Sequence, residues 1–385
     1  MPLERNVSNR RSFLTHTVGL AAPTFLAHQS AYPALGKNTS NRSSTPAVAA
    51  RKTSNIRIGI RIHQGWLNSK NDNDLLFLKQ IGVNHVDITL NLIKGYQERG
   101  IFTKDNLRAL IRRLDGSGLV IERANSLGNH YLHAHLHDAQ GQREIDHLKR
   151  IGDMLSDCEI PVYGIQACQA ASHVENSRGG WVYEKGRGGY RFPSFDVKRA
   201  LSAAPKPKYL ITAEQLWKGL LNIYRQVIPH VEGSKTNIAM HGNDPPLYHY
   251  LGNPQILCRF ADFDRLFSEV PSSHNGITFC VGTRYESGQN ILNGIRHFGN
   301  QGKLFHVHFR NVIGTLPKDG HYSEVFVDDG DIRMPDVLRA LHEVGYQGVI
   351  DYDHPMGITG DEPLPKQYIS FCVGYMRGLL QSLDR

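Results

Sequence analysis

The chain has 385 residues, 40% of them hydrophobic, which is a globular composition with enough apolar residues for a sizeable core. Much of its net charge of +8 comes from the first 57 residues, whose only acidic residue is Glu4, and no stripe of basic and aromatic residues follows, so we expect no nucleic-acid partner. No run of about 20 apolar residues occurs, which argues against a permanent membrane span.

The N-terminal segment is the first recognisable element. The stretch "SNRRSFLTHTVGLAAPTFLA" (8–27) joins Arg10 and Arg11 to a short, mildly apolar run and resembles a twin-arginine export signal. We expect residues 1–27 to engage the export machinery and direct the protein to a bacterial periplasm. Residues 28–55, rich in Ser, Asn, Thr and Ala, are expected to form a flexible linker. A disordered basic tail is the alternative for the whole segment.

From residue 56 to residue 385, short β-branched runs alternate with stretches whose apolar residues recur at helical spacing, such as "KDNLRALIRRLDGSG" (104–118). Eight runs are predicted to be strands: 56–60, 83–90, 119–124, 162–167, 237–242, 277–282, 304–309 and 348–353. Eight βα repeats in one domain predict a (β/α)8 TIM barrel.

The two-residue period of a strand sorts the side chains of the last four strands into two faces. In each of these strands an apolar set suits the helix-facing side, and the polar set suits the barrel interior. The polar residues at the C-terminal ends are then His241, Cys280, His308 and Asp353, on the face where barrel active sites lie. His306 lies one layer deeper and is expected to support or pack beneath His308.

Two imidazoles, one thiolate and one carboxylate at adjacent strand ends predict a metal site. Thiolate and imidazole favour zinc or iron, while the carboxylate also allows manganese, so the residues predict a divalent first-row metal. The chain has five cysteines, an odd number, and no Cys-x-x-Cys pair, so a disulfide framework is not expected.

The late strand motifs carry a family resemblance. The segments "IAMHGNDPP", "GITFCVGT", "HFGNQGKLFHVHFRNV", "DDGDIRMPDVLRAL" and "IDYDHP", in this order, resemble mannonate dehydratase, a barrel enzyme of the xylose isomerase-like superfamily. That family converts D-mannonate to 2-keto-3-deoxy-D-gluconate with a divalent metal, and Mn²⁺ or Fe²⁺ is expected here. Upstream, "GRGGYRFPSFD" (186–196) resembles the family more weakly.

The resemblance also implies roles for individual residues. The residues that match the family's metal ligands are the four at the strand ends, and His354 matches its catalytic histidine. Tyr368 is a candidate catalytic partner, with a helix-docking tyrosine as the alternative. Independently of the resemblance, Arg310 shares the parity of His308 and lies just past the strand end, so it is expected to hold the substrate carboxylate, with a salt bridge at the barrel rim as the alternative. Within the same motifs, Asp244, Thr283 and Asn311 are expected to bind the sugar acid.

Two motifs depart from the family pattern and leave the substrate open. The chain has His241-Gly242-Asn243-Asp244 where the family has His-Pro-Asp-Asp, and Tyr322-Ser323-Glu324 where the family has Phe-His-Glu. A xylose-isomerase-like isomerase or epimerase and a non-catalytic sugar-acid-binding protein therefore remain alternatives to the lyase. A homodimer is also left open.

Overall fold

The computed structural model of the chain describes residues 55–70, 72–126, 131–136, 138–167, 179–203 and 210–383. The predicted signal at 1–27 and the predicted linker, except for residue 55, lie outside these ranges. Those two predictions, and the domain boundaries drawn from them, stay predictions.

Eight parallel strands close into a barrel in the order β1-β8-β7-β6-β5-β4-β3-β2. The strands are β1 Arg57–Ile62, β2 His85–Thr89, β3 Val120–Ser126, β4 Val162–Gln166, β5 Asn237–His241, β6 Asn275–Cys280, β7 Leu304–His308 and β8 Val349–Asp351. Each overlaps a predicted strand, and the predicted TIM barrel is confirmed. One end differs in a way that matters, because β8 stops at Asp351 and leaves Asp353 in the loop that follows.

The α-helices are α1 Asn73–Gln80, α2 Tyr96–Arg99, α3 Lys104–Gly116, α4 Leu132–Leu136, α5 Ala139–Asp157, α6 Val197–Ser202, α7 Ala213–Val227, α8 Phe260–Glu269, α9 Val281–Glu286, α10 Ile291–Asn300, α11 Leu316–Asp319, α12 Met334–Glu343 and α13 Lys366–Leu383. Helix α3 illustrates how the sequence specifies them: Thr103 caps its N-terminus, and Leu107, Leu110 and Leu114 form its buried stripe. Among the described residues, no helix is both long enough and apolar enough to cross a bilayer.

The strand register brings the predicted polar residues to matching heights inside the barrel. Cys280 is paired with His308, and His308 with Asp351 on the other side. His241 is paired with Gln166 of β4. One layer below, Thr278 is paired with His306. The two-residue alternation therefore holds through β5 to β8 and directs the polar side chains to the barrel interior.

A second sheet covers part of the C-terminal face of the barrel. Its four antiparallel strands come from the segments that follow β4 and β7, and in spatial order they are Asn311–Ile313, His321–Val325, Arg191–Asp196 and Trp181–Lys185. We call it the cap sheet. Two backbone hydrogen bonds of 2.8 Å join Arg191 to Gly357, in the loop after β8. The cap sheet is thus attached to the loop that carries Asp353 and His354.

Candidate active site

Three of the predicted metal ligands converge at the C-terminal end of the barrel. His241, Cys280 and His308 end strands β5, β6 and β7, all three are buried, and one ligand atom from each lies within 4.8 Å of the others. Their positions follow from the strand register, because successive strands place equivalent residues side by side. This is the grouping that the alternation in the sequence predicted.

Hydrogen bonding orients His241 as a ligand. Its Nδ1–H donates to the Gly242 carbonyl at 2.8 Å, which leaves the Nε2 lone pair available. Burial lowers the pKa of His241 to about 4, so the imidazole is neutral at physiological pH. A neutral imidazole is the form that binds a metal.

Cys280 lies where β6 passes into helix α9, and its sulfur is surrounded by donors. Cys280 Sγ accepts a hydrogen bond from the Thr283 backbone N–H at 3.4 Å, and Thr283 Oγ1 lies 3.1 Å away. Burial nevertheless raises the pKa of the thiol to about 12. The thiolate therefore requires a cation beside it, which a bound metal would provide.

Asp353 adjoins two members of this group. Its Oδ2 lies 3.8 Å from Cys280 Sγ and 3.3 Å from His308 Nδ1. The same carboxylate also contacts two arginines, Arg61 at 3.0 Å and Arg310 at 3.1 Å. Although burial opposes the charge, His308, His354 and Arg61 hold the pKa of Asp353 well below its usual range. Asp353 has a φ of +62°, a left-handed conformation that is unusual for a residue with a side chain.

Arg61 is a site residue that the sequence analysis missed. It lies on β1, with Nη1 3.0 Å from Asp353 Oδ1, and its Nη2 donates to His308 Nε2 at 3.0 Å. A positive charge thus already contacts two of the predicted metal ligands. The predicted strand ended at Ile60, one residue before Arg61, although the inward position of Arg61 follows from the same two-residue alternation.

The donor set fits a divalent first-row metal. Two imidazole nitrogens and one sulfur lie together in a buried pocket beside a carboxylate, and this mixture of donors suits several such ions. A second group, Asp87, His306, His308 and Asp351, also has ligand atoms within 4.8 Å of one another. Arg61 and Arg123 already neutralise Asp87, so we regard this deeper group as a charge-balanced support.

Arg310 was predicted to hold a substrate carboxylate, and the structure instead favours the salt bridge alternative. The side chain is 1% exposed, and its three nitrogens donate to protein oxygens: Nε to Asp353 at 3.1 Å, Nη1 to Glu286 at 2.5 Å, and Nη2 to Asp244 and Thr283, both at 2.8 Å. No guanidinium nitrogen is left for a substrate in this arrangement. Asp244 and Thr283 therefore lie beside the metal ligands, where they bind Arg310.

Two further predicted residues lie away from the reacting groups. The Asn311 side chain is buried and its hydrogen bonds to other described residues are to backbone groups, since it donates to the carbonyls of Val327 and Ile332. Tyr368 is buried on helix α13, with its ring against Phe326 and Tyr352. The structure therefore favours the helix-docking alternative for Tyr368. Asn311 was chosen for its place in a motif, and Tyr368 because the family has a tyrosine downstream of its catalytic histidine. Neither criterion reveals which way a side chain points.

His354 combines accessibility with a fixed orientation. Its Nδ1 donates to the buried Glu324 carboxylate at 2.7 Å, and its Nε2 lies 3.6 Å from Asp353 Oδ2. The side chain is 39% exposed. Burial disfavours the protonated ring, but Asp353 and Glu324 outweigh that effect and raise the pKa of His354 to about 9. Glu324 was noted in the sequence only as a position that matches the family.

His354 and Glu324 line a cavity of about 660 Å³. The cap sheet, which carries Glu324, also contributes Trp181, Tyr183 and Arg191 to the lining. A cavity of this size falls in the range of small-molecule sites. The site therefore has a buried group of metal ligands on one side of His354 and a cavity on the other.

Comparison with known proteins agrees with this geometry. The sequence profile of D-mannonate dehydratase (UxuA) matches residues 203–385. Mannonate dehydratase 2 of Halalkalibacterium halodurans is 26% identical over 327 residues, covering 80% of this chain and 93% of that protein. The chain is related to the mannonate dehydratases. The profile match includes β5 to β8, and so it includes all four predicted ligands and His354.

Other mannonate dehydratases give a similar result. The Thermotoga petrophila enzyme is 30% identical over 179 residues, which are 46% of this chain and 49% of that enzyme. The crystal structure of mannonate dehydratase from Streptococcus suis serotype 2 superposes with a TM-score of 0.70 and 20% identity, covering 86% of this chain and 94% of that chain. At that identity, the structural match shows a shared fold.

Proposed function

We propose that the protein is a metal-dependent hydro-lyase that dehydrates a sugar acid, with D-mannonate as substrate and 2-keto-3-deoxy-D-gluconate as product. The observation that carries this proposal is the position of His354. This histidine is held by Glu324, adjoins the ligand group, and faces a cavity. The relation to the mannonate dehydratases supports the reaction class and the substrate.

The reaction requires removal of the weakly acidic proton next to a carboxylate and loss of a hydroxyl from the neighbouring carbon. A divalent metal, when bound, supplies positive charge that stabilises the enolate-like charge of the transition state. His354 moves a proton at Nε2, since its Nδ1 is bound to Glu324. Arg310 contributes by holding Asp353 beside Cys280 and His308.

For the metal we propose Mn²⁺ or Fe²⁺, held by His241, Cys280 and His308 with Asp353 beside them. Imidazole and thiolate are the softer ligands of this set, and the carboxylate beside them makes the set suitable for Mn²⁺ and Fe²⁺. Metal content after loading with each ion, and the rate that each ion supports, would distinguish them from zinc.

The two alternatives make different demands on the site. A xylose-isomerase-like isomerase typically uses carboxylate ligands and paired glutamate bases, whereas here Glu286 and Glu324 are bound by Arg310 and His354. A non-catalytic binding protein has no need for an oriented, accessible histidine next to the ligand group. Both features favour the lyase.

One assay tests the proposal: metal-loaded protein is incubated with D-mannonate and 2-keto acid formation is followed, with His354→Asn as the matched variant. We expect activity only in the wild type, with equal metal content in both. Aldose–ketose interconversion without 2-keto acid would support an isomerase. D-mannonate binding without turnover would support a non-catalytic protein.

We also propose export to a periplasm through the signal at residues 1–27, which rests on the Arg10-Arg11 pattern alone. Replacing both arginines by lysine is expected to leave the protein in the cytoplasm, and unchanged export would favour the disordered tail. The homodimer stays a prediction, to be checked by light scattering.

A further inference from the structure

Two parts of the molecule line the cavity above His354. The cap sheet contributes Trp181, Tyr183, Arg191, Pro193 and Glu324, and the loop after β8 contributes His354, Pro355 and Gly357. Glu324, the carboxylate at this cavity, already accepts the hydrogen bond from His354. Among the described charged residues that line this cavity, Arg191 is the one without an ion-pair partner.

The main chain of Arg191 is fixed independently of its side chain. Its N–H donates to the Gly357 carbonyl and its carbonyl accepts from the Gly357 N–H, both at 2.8 Å. Gly357 lies three residues after His354, so this bridge sets the distance between the cap sheet and the loop that carries the histidine. A change in the Arg191 side chain leaves the bridge intact.

The guanidinium of Arg191 differs from those deeper in the site. Arg61 and Arg310 are both bound by carboxylates. Arg191 lies with its Cζ 5.1 Å from the centre of the Tyr183 ring and, among the residues that the structure describes, forms no salt bridge. Stacking on an aromatic ring holds a guanidinium in place while its N–H groups stay free to donate.

We propose that Arg191 binds the carboxylate of the sugar acid and so selects acids over neutral sugars. This inference rests on the proposed function and names the recognition residue of the same site. A planar guanidinium matches a carboxylate with two parallel hydrogen bonds. With the carboxylate on Arg191, the adjoining hydroxylated carbons lie toward His354, where a proton must be moved. Arg310, predicted from the sequence for this role, is occupied by protein carboxylates.

The test compares Arg191→Gln and Arg191→Lys with Lys185→Gln as the control. Lys185 is paired with Arg191 on the neighbouring strand of the cap sheet and does not line the cavity, so Lys185→Gln removes the same charge from the same sheet. Charged hydrogen bonds contribute enough for a loss of roughly 10- to 100-fold in affinity. We expect Arg191→Gln to raise KM for D-mannonate by that factor, with kcat changed less than threefold. The KM of Arg191→Lys is expected to lie between those of the wild type and Arg191→Gln. The control is expected to match the wild type.

A second measurement separates carboxylate recognition from a general loss of binding. D-mannitol, the neutral counterpart of D-mannonate, is used as a competitive inhibitor, and its inhibition constant is expected to be equal in the wild type and Arg191→Gln. Metal content is measured for every variant. Two results would overturn the assignment of Arg191 while the proposed function stands, provided that the wild type dehydrates D-mannonate. In the first, Arg191→Gln keeps the wild-type KM for D-mannonate. In the second, Arg191→Gln weakens the binding of D-mannitol as much as it weakens the binding of D-mannonate. If the wild type neither turns over nor binds D-mannonate, both proposals are overturned.

Discussion

Replacing Glu324 by glutamine tests whether the orientation and charge of His354 determine the rate. The Glu324 carboxylate is buried and accepts the Nδ1–H of His354 at 2.7 Å, the length of a charge-assisted hydrogen bond. A glutamine oxygen still accepts this hydrogen bond but carries no charge. Charged hydrogen bonds contribute about 1.5–3 kcal/mol, and about 1.36 kcal/mol corresponds to tenfold. We therefore expect kcat to fall roughly 10- to 100-fold, since the loss lies within that range.

The assay is 2-keto acid formation at saturating D-mannonate, together with metal content and circular dichroism. Glu184→Gln is the matched control, because Glu184 also lies in the cap sheet but, within the described part of the chain, accepts hydrogen bonds only from the hydroxyls of Ser194 and Ser323. It is expected to keep the wild-type kcat. A Glu324→Gln enzyme with kcat within twofold of the wild type would refute the role of Glu324. A fall in kcat accompanied by loss of metal would instead mean that Glu324 supports the metal ligands.

Three further changes probe the metal ligands, the core and the buried charges. His308→Ala should remove most of the bound metal. His306→Ala should retain metal but cost about 2–4 kcal/mol in urea unfolding, because Asp351 loses the imidazole bound to its Oδ2, although its Oδ1 still accepts the Asp353 N–H. Equal metal loss in both variants would contradict the layer assignment. Tyr368→Phe should keep kcat within twofold of the wild type, because the Tyr368 hydroxyl is hydrogen-bonded to Cys372 in the core. A loss of kcat of a hundredfold or more in a folded variant would instead support a catalytic role for Tyr368. Burial raises the pKa of Glu286 to about 8 in the folded protein, from an ordinary value of 4.5. Between these two pH values the folded state keeps a proton that the unfolded state has lost, so the free energy of unfolding falls as pH rises toward 8. Glu286→Gln should remove that fall, as thermal unfolding at pH 5 and pH 8 would measure.

The barrel and its ligand group could be predicted because both depend on short-range patterns. A strand alternates faces every two residues, so His241, Cys280 and His308 follow from their position in the strand once the strand is recognised. The same pattern separated His306 from His308 by one layer. Asp353 was reached for a partly wrong reason, since it lies two residues beyond β8 and depends on a left-handed backbone that no alternation predicts.

The cap sheet and the partners of the charged residues could not be predicted in this way. The sheet pairs Arg191–Asp196 with His321–Val325, segments that are far apart in the chain, and its turns give no signal of that pairing. Arg310 was assigned to the substrate because it shares the parity of His308 and lies just past the strand end, where a guanidinium can hold a carboxylate. Only the folded structure shows that Arg310 already forms salt bridges with Asp244, Glu286 and Asp353, which come from three other segments. Among the described residues that line the cavity, the arginine without a salt bridge is Arg191, and the strand pattern gave no reason to select it.

The ion pairs at the site determine which arginine can meet the substrate. Arg61 binds Asp87 and Asp353, and Arg310 binds Asp244, Glu286 and Asp353. Because these carboxyl groups occupy both guanidinium groups, neither arginine is available to an anionic substrate. Asp353 also lies beside Cys280 and His308, where buried negative charge favours a bound cation. The carboxyl groups that suit the site to a metal therefore do not suit it to an acid, and a preference for an acid depends on a cation outside this cluster. We assign that role to Arg191 in the lining of the cavity.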